Sequence, residues 1–175
     1  MDNNGDIYVS DYKKPEVRRW GEENTHGTIV ADGNGLGDIF NKSYPIINLF
    51  VDQDHSVYVV DTRNERVMKW TKDAKEAIVV AGRHGQGDNL RQLFNPNGLF
   101  VDQQGNIYVA DAWNHRIIRW SKGSEEGTII VGGNGEGLEP NQLNRPSSLS
   151  FDRQGNLYVA DSLNHRVQKF NVMSD

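Results

Sequence analysis

Acidic and basic side chains recur in this sequence at one fixed separation. Three aspartates each stand five residues before an arginine, in the pairs Asp61–Arg66, Asp111–Arg116 and Asp161–Arg166. Across a tight turn, a carboxylate and a guanidinium at this separation can form charge-assisted hydrogen bonds, and the aspartate can also cap the turn. An active site needs its carboxylate once, whereas this pair occurs three times. The pattern therefore predicts a structural role for the pair rather than a catalytic one.

Histidines and further carboxylates raise the question of a metal site. His115 and His165 stand fifty residues apart, and equivalent corners of a repeat structure could in principle aim both at one zinc ion. Glu65 stands at the same position in an earlier repeat, so a third histidine is lacking. Asp38 and Asp88 could bind calcium weakly from glycine-rich loops. Recurrence at repeat positions has a simpler structural explanation, and we expect no metal site and no cofactor.

Two further catalytic patterns are weak in this sequence. Glycine-rich segments occupy 33–37, 83–87 and 133–137, but phosphate binding by such a segment requires a helix that begins directly behind it. No helix is predicted there, so the glycines are expected to permit positive φ in long loops. Ser147 and Ser148 lack the strand–turn–helix elbow of serine hydrolases. We therefore predict no catalytic residues, and the protein is not expected to be an enzyme.

The elements that position these side chains follow a period of 50 residues. The motif Tyr-Val-x-Asp begins at Tyr8, Tyr58, Tyr108 and Tyr158. In the third unit, strand-like segments at 98–102, 107–110, 116–120 and 128–131 are separated by turns rich in Gly, Asn and Asp. β-Branched and aromatic runs between such turns predict strands joined as hairpins. A four-stranded antiparallel meander repeated at this period is typical of a β-propeller.

The repeats also resemble a known family. Residues 104–111 read Gln-Gly-Asn-Ile-Tyr-Val-Ala-Asp and are followed by Asn-His-Arg-Ile at 114–117. This pattern resembles the NHL repeat, and the fourth unit repeats it at 155–161 and 164–167. The second unit has Glu65 in place of the histidine, and the first unit departs most. The resemblance implies a propeller fold and is far less specific for function.

The predicted fold class is all-β, a β-propeller of four-stranded antiparallel blades. Counting the segments gives about three and a half blades, which is half or a fragment of a roughly six-bladed ring. The whole chain, 1–175, is one propeller segment with units at about 1–45 (incomplete), 46–95, 96–145 and 146–175 (incomplete). Open blade edges favour self-association. The expectation is therefore a homodimer or a piece of a longer protein.

Composition narrows the classes of partner. The formal net charge is −5 and the pI about 5.5, which makes nucleic acid an unlikely partner because phosphate binding usually requires a basic face. No apolar run reaches the roughly 18 residues that span a bilayer, so no membrane partner is expected. The chain has no cysteine, which excludes disulfides and thiolate metal ligands and leaves the compartment open.

Positions that differ between repeats are the better candidates for specific binding, since shared positions build the scaffold. In the turn after the second strand and in the loop between blades, the varying residues include aromatic and arginine side chains, which are enriched in binding hot spots. The candidate ligand-binding residues are Tyr12, Lys13, Arg63, Arg91, Trp113 and Leu163. In a meander these connections emerge on one face, and we expect Tyr12, Arg63, Arg91 and Trp113 around the channel mouth.

The resulting functional prediction is an interaction module that binds a protein, a peptide or a small polar ligand on this face. The NHL resemblance leaves RNA binding as one alternative, for which the basic candidates are Lys13, Lys14, Arg18, Arg19, Arg63 and Arg91.

A second alternative is that the chain is part of an enzyme similar to the propeller lyases and lactonases. Enzymes on related propellers gather acidic, histidine and asparagine ligands at the axis. The innermost positions here, 46–48, 97–99 and 147–149, are neutral.

Overall fold

The computed structural model describes residues 2–11, 14–22, 25–32 and 48–172. Within these ranges the strands form four antiparallel sheets, which we call blades I to IV. Blade I contains β1 (Ile7–Ser10), β2 (Glu16–Trp20) and β3 (Thr28–Asp32), and blade II contains β4 (Leu49–Val51), β5 (Val57–Asp61), β6 (Arg66–Trp70) and β7 (Ile78–Ala81). Blade III contains β8 (Pro96–Val101), β9 (Ile107–Asp111), β10 (Arg116–Trp120) and β11 (Gly127–Gly132), and blade IV contains β12 (Pro146–Phe151), β13 (Asn156–Asp161) and β14 (Arg166–Asn171).

Strand order within each blade follows chain order, so every described sheet is a simple meander. The described residues contain no α-helix, and their helical structure is limited to single turns of 3-10 helix after β5, β9 and β13. In these turns, at 62–64, 112–114 and 162–164, the next residue takes the left-handed conformation, with φ of 56°, 51° and 52°. The prediction of an all-β propeller built from antiparallel blades is confirmed.

The core lies between blades rather than inside one of them. The second strand of blade III, β9, is buried along its whole length. Val109 packs with residues of blade II, whereas Tyr108 and Ala110 pack with Leu149 and Val159 of blade IV. A strand covered on both faces buries apolar side chains at every position, which explains the uninterrupted apolar run in each repeat.

The innermost strands of neighbouring blades approach backbone to backbone. A Cβ atom added to Gly98 in β8 would lie 2.6 Å from Cα of Ser148 and 2.9 Å from the carbonyl oxygen of Ser147 in β12. Neither of these is the end of a flexible side chain, so the contact cannot be relieved by rotation. Glycine is therefore required at this position by the spacing of blades III and IV.

The described residues contain no helix long and apolar enough to cross a membrane.

Candidate functional site

The Asp–Arg pair of blade III is a buried clamp on the loop that enters the blade. Arg116 Nε donates to Asp111 Oδ2 at 2.7 Å, and both side chains are almost fully buried. The terminal guanidinium nitrogens of Arg116 donate to the backbone carbonyls of Asp88 (2.6 Å), Asn89 (3.1 Å) and Gln92 (3.2 Å). The arginine thus fastens the connection between blades II and III to the second hairpin of blade III.

The carboxylate of Asp111 has further donors. Its Oδ1 accepts the backbone N–H of Phe94 at 2.7 Å, and its Oδ2 accepts Nδ2 of Asn114 at 2.8 Å. Asn114 Nδ2 also donates to the carbonyl of Gly87 at 2.8 Å. All these donors lie in the scaffold, so neither the aspartate nor the arginine is presented to a substrate.

Blade IV repeats the clamp with different loop residues. Arg166 Nε donates to Asp161 Oδ2 at 2.8 Å, and its terminal nitrogens donate to the carbonyls of Leu138, Glu139 and Gln142 at 2.7–3.2 Å. The pair also forms in blade II, where Arg66 Nε lies 2.9 Å from Asp61 Oδ2. The structure therefore agrees with a scaffolding role for the recurrent pair.

The aspartates of the two clamps differ in their pKa: burial outweighs the hydrogen bonds at Asp111 and raises its pKa, whereas the hydrogen bonds prevail at Asp161. Burial raises the pKa of Asp161, but donation from Asn144 N–H, Asn164 and Arg166 outweighs burial and holds the pKa below its ordinary value. The folded protein therefore favours the ionised carboxylate at Asp161.

One of the two histidines considered for zinc, His115, bonds to backbone instead. His115 Nδ1 lies 3.3 Å from the backbone N–H of Arg145, and its Nε2 lies 3.9 Å from a carboxylate oxygen of Glu136. Glu65, at the equivalent position of blade II, accepts the backbone N–H of Asn95 through Oε2. In blades II and III, this position thus joins the blade to the residue that precedes the next blade. Among the described residues, no group of three His, Asp or Glu side chains could hold a metal ion.

Glu65 makes folding stability depend on pH. Burial raises the pKa of Glu65 from its ordinary 4.5 to about 7, and the charges of Asp111 and Asp61 add to this, whereas the Asn95 N–H opposes it. Because the folded chain holds this proton more tightly than the unfolded chain, stability is lost as the pH rises from about 4.5 to about 7. A glutamine at position 65 has a neutral amide and should not show this loss of folding stability.

We expect Glu65→Gln to have the unfolding free energy of the parent chain near pH 5 and a higher one at pH 8. Glutamine keeps an oxygen that can accept the Asn95 N–H, so the substitution removes the charge and retains the bond. Urea unfolding at a series of pH values measures the difference. Equal stabilities at both ends of the series would contradict the assignment.

Uncharged side chains occupy the start of the innermost strands. Asn48 Nδ2 donates to Asn97 Oδ1 at 2.7 Å across the boundary of blades II and III. In blade IV, Ser147 Oγ is hydrogen-bonded to Ser162 Oγ. These contacts satisfy the polar groups within the scaffold. The expectation of neutral innermost positions holds for the described residues.

Variable turn residues share one end of the blades. Trp113 and Leu163 occupy the 3-10 turns of blades III and IV, and their indole and isobutyl side chains are 43% and 50% exposed. Arg63 is exposed in the corresponding turn of blade II. The two remaining turn candidates, Tyr12 and Lys13, lie outside the described residues.

Trp113 is fixed by contacts with both neighbouring loops. Its backbone N–H donates to the carbonyl of Phe94, and the two ring centroids lie 4.8 Å apart. The guanidinium carbon of Arg145, at the entrance to blade IV, lies 4.6 Å from the centroid of the indole. The N–H of Leu163 donates to the carbonyl of Asn144, directly before Arg145. We call the exposed side chains of Arg63, Trp113, Arg145 and Leu163 the turn strip.

Arg91 does not lie with the turn strip, and this corrects the expectation that it would line the same mouth. Its Nε and Nη2 both lie 2.8 Å from Glu126 Oε1, and the carbonyl of Leu90 accepts the N–H of Gly127. Residues 126 and 127 stand at the Trp120 end of blade III, opposite the end that carries Trp113. The connection between blades II and III is docked along blade III, with Leu93 fully buried, and reaches the far end.

One recurrent set of polar side chains was not identified from the sequence, and its members cap turns of the blades. Aspartates recur every fifty residues at the turn between the first two strand positions of each unit, at Asp2, Asp52, Asp102 and Asp152. Each accepts the hydroxyl of the tyrosine six residues later at 3.0–3.2 Å and also accepts N–H groups of its own turn. The constant Asp-to-Tyr spacing was the signal that could have revealed this cap.

Asp2 has an additional partner in the next blade. His55 Nδ1 lies 2.8 Å from Asp2 Oδ2. Burial raises the pKa of Asp2. The hydrogen bonds from His55, Tyr8 and the turn N–H groups lower it by a larger amount, and the pKa falls to about 2. His55 has φ of 59° where the other repeats carry glycine, so this side chain is held in a conformation that usually favours glycine.

The loops considered for calcium or phosphate are also held by the scaffold. Gln86 and Leu93 form an isolated parallel β-bridge, and Glu136 and Leu143 form the equivalent bridge in the next loop. The carbonyl of Asp88 accepts from Arg116. Asp38 lies outside the described residues.

Comparison with known proteins agrees with this architecture. The NHL repeat profile matches residues 95–120 and 143–170, which contain the second and third strands of blades III and IV and their clamps. These two segments are therefore NHL repeats. A search of curated protein sequences found no match.

Several solved structures share the fold. A protein of unknown function from Bacteroides thetaiotaomicron superposes with a TM-score of 0.73 at 19% identity, over 97% of this chain and 45% of that one. An auxiliary nutrient binding protein from the same organism gives 0.74 at 16%, over 95% and 45%. The nidogen/laminin complex gives 0.69 at 21%, over 97% and 57%. The chain thus spans 45% to 57% of the length of these structures.

Proposed function

We propose that this chain is a binding module rather than an enzyme, and that it recognises a protein or peptide through the turn strip. The observation that carries the proposal is the exposed indole of Trp113, held between Phe94 and the guanidinium of Arg145. Tryptophan and arginine are the side chains most enriched in interface hot spots. A side chain already fixed in the free protein loses little conformational entropy on binding, which favours affinity.

The character of the strip favours a macromolecular partner over a small polar ligand. Trp113 and Leu163 present apolar area in neighbouring blades, and Arg63 extends the strip to a third blade. An extended surface of this kind fits a chain laid across several blades. The Asn48–Asn97 bond pairs two polar side chains of the innermost positions with each other rather than leaving them for a substrate, which supports binding rather than catalysis.

Selection from a random phage-displayed peptide library on the purified chain tests this function. Selected peptides should bind the parent chain and lose at least about tenfold in affinity on the double variant Trp113→Ala/Leu163→Ala, as expected for two hot-spot truncations. Ile78→Ala/Ile129→Ala is the matched control, because both isoleucines are exposed on outer strands. Peptides that bind the double variant as well as the parent would refute the assignment of the strip.

We also propose that the chain associates with a second copy through its two open blade faces. Val167 in β14 is 69% exposed, whereas the equivalent Val67 and Ile117 are fully buried against the following blade. On blade I, Ile7 and Val9 are exposed at positions that are buried in the later blades. The two faces are the halves of an inter-blade contact, so one copy can present blade I to blade IV of another.

Light scattering over a concentration series tests this association. The parent chain should form dimers or larger assemblies, and Val167→Asp should shift it towards the monomer, because a charge in a buried apolar contact is costly. Leu138→Asp is the control, since Leu138 is equally exposed at 68% but lies in a loop. A parent chain that stays monomeric throughout would overturn the proposal.

A further inference from the structure

The turn strip carries an unusual arginine. Arg145 has φ of 48°, a left-handed conformation that is uncommon for a residue with a Cβ atom. Its backbone N–H is bonded to His115, and its guanidinium lies over Trp113. Asn95 occupies the equivalent position of blade III with the same backbone conformation. The left-handed backbone conformation is therefore a property of the scaffold. The arginine side chain is specific to blade IV, because blade III has asparagine at this position.

The charge of Arg145 is available to a ligand. The residue is exposed, and within the described part of the chain it forms no ion pair. Stacking on an indole orients a guanidinium without neutralising it, and leaves its N–H groups in the ring plane to donate. A carboxylate is the protein group that matches this planar set of donors.

No carboxylate of the described residues forms an ion pair with Arg145, although Glu136 lies near His115, which bonds the Arg145 backbone. Glu65 accepts the Asn95 N–H, and Glu136 lies 3.9 Å from His115 Nε2. Arg63 adds a second exposed cation at the blade II end of the strip. At its centre, the strip presents the Arg145 guanidinium beside the apolar surface of Trp113.

Acidic groups also lie at the opposite end of the blades. The four capping aspartates lie there, one in each repeat, at Asp2, Asp52, Asp102 and Asp152. The net charge of the chain is −5, so attraction of an acidic ligand has to come from a local cationic group such as Arg145. Such a charge distribution fixes the orientation of a ligand more than it adds affinity.

We propose that the turn strip recognises an acidic peptide segment, with a carboxylate on Arg145 and an apolar side chain against Trp113 and Leu163. This inference rests on the proposed function and specifies the chemistry of the partner. Arg145 is a specificity-determining residue that the comparison of variable turns did not include, because it lies directly before the first strand of its blade.

Fluorescence anisotropy with defined probes tests the inference. The first probe is a fluorescein-labelled decapeptide of alternating glutamate and leucine, and the second replaces glutamate by lysine. The glutamate peptide should bind the chain and weaken between 50 and 300 mM salt, whereas the lysine peptide should not bind. Arg145→Ala should reduce affinity for the glutamate peptide at least about fivefold, and Arg145→Lys should recover part of it because charge returns without the planar stack.

Arg153→Ala is the matched control, since Arg153 is an exposed arginine in the turn between β12 and β13, at the other end of blade IV. It changes the net charge equally and should leave binding unchanged. Equal binding by Arg145→Ala and Arg153→Ala, binding of the lysine peptide, or no binding at 50 mM salt would overturn the inference. Tighter binding of a labelled oligouridylate through Arg145 would overturn it in favour of nucleic acid. Library peptides that need Trp113 but are neutral and insensitive to salt would refute the acidic ligand and leave the proposed function standing.

Discussion

Replacing Arg116 by alanine should lower the free energy of unfolding by about 3–5 kcal/mol, the cost typical of removing one partner from a buried ion pair. The substitution leaves Asp111 buried without its guanidinium and removes the donors to three loop carbonyls. Both the second hairpin of blade III and the incoming loop would lose a shared anchor. Urea unfolding followed by the fluorescence of the buried Trp70 and Trp120 measures the change.

Arg166→Ala provides the comparison within the same chain. It makes the same bonds, but its side chain is 29% exposed, against 4% for Arg116. Water can replace an exposed guanidinium more readily than a buried one, so Arg166→Ala should be clearly less destabilising. A cost below about 1 kcal/mol for Arg116→Ala would place the pair among surface ion pairs and contradict its role as a clamp.

Gly98→Ala is the second substitution for which we expect a large effect. The new methyl group would lie 2.6 Å from Cα of Ser148, so blades III and IV would have to separate at their inner strands. Overpacking of this kind costs about 1–3 kcal/mol, and Gly98→Val should cost more. Thermal unfolding of the two variants measures the series.

Ser148→Ala is the control for the Gly98 series. It changes the same contact by removing an exposed hydroxyl and adds no atom, so its effect should be within about 0.5 kcal/mol. If Gly98→Ala were as mild as Ser148→Ala, the close approach of the inner strands would not hold in solution.

Periodicity accounts for what the sequence predicted well. Tyr-Val-x-Asp at a spacing of 50 residues marks β5, β9 and β13, and short turns allow only antiparallel neighbours. The Asp111–Arg116 pair was predictable because both residues lie on adjacent strands of one hairpin. Local geometry settles such a contact before the tertiary structure is known.

Long connections account for what the sequence did not predict. The path of the loop that carries Arg91 is set by Leu93, which is buried between blades, and by carbonyls that bond to Arg116. Neither contact follows from the spacing of residues in the loop. Arg145 was overlooked for a related reason, since it reaches Trp113 only when blades III and IV are placed side by side.

The clamps of blades III and IV hold their loops through main-chain groups. Arg116 and Arg166 bond to carbonyls at positions that carry different side chains, Asp88, Asn89 and Gln92 in one loop and Leu138, Glu139 and Gln142 in the other. Such an anchor is indifferent to most substitutions along the connection. Mutation can therefore diversify the exposed positions of these segments while their path is preserved, and an engineer could graft new sequences around the buried Leu93 and Leu143 without redesigning the blades.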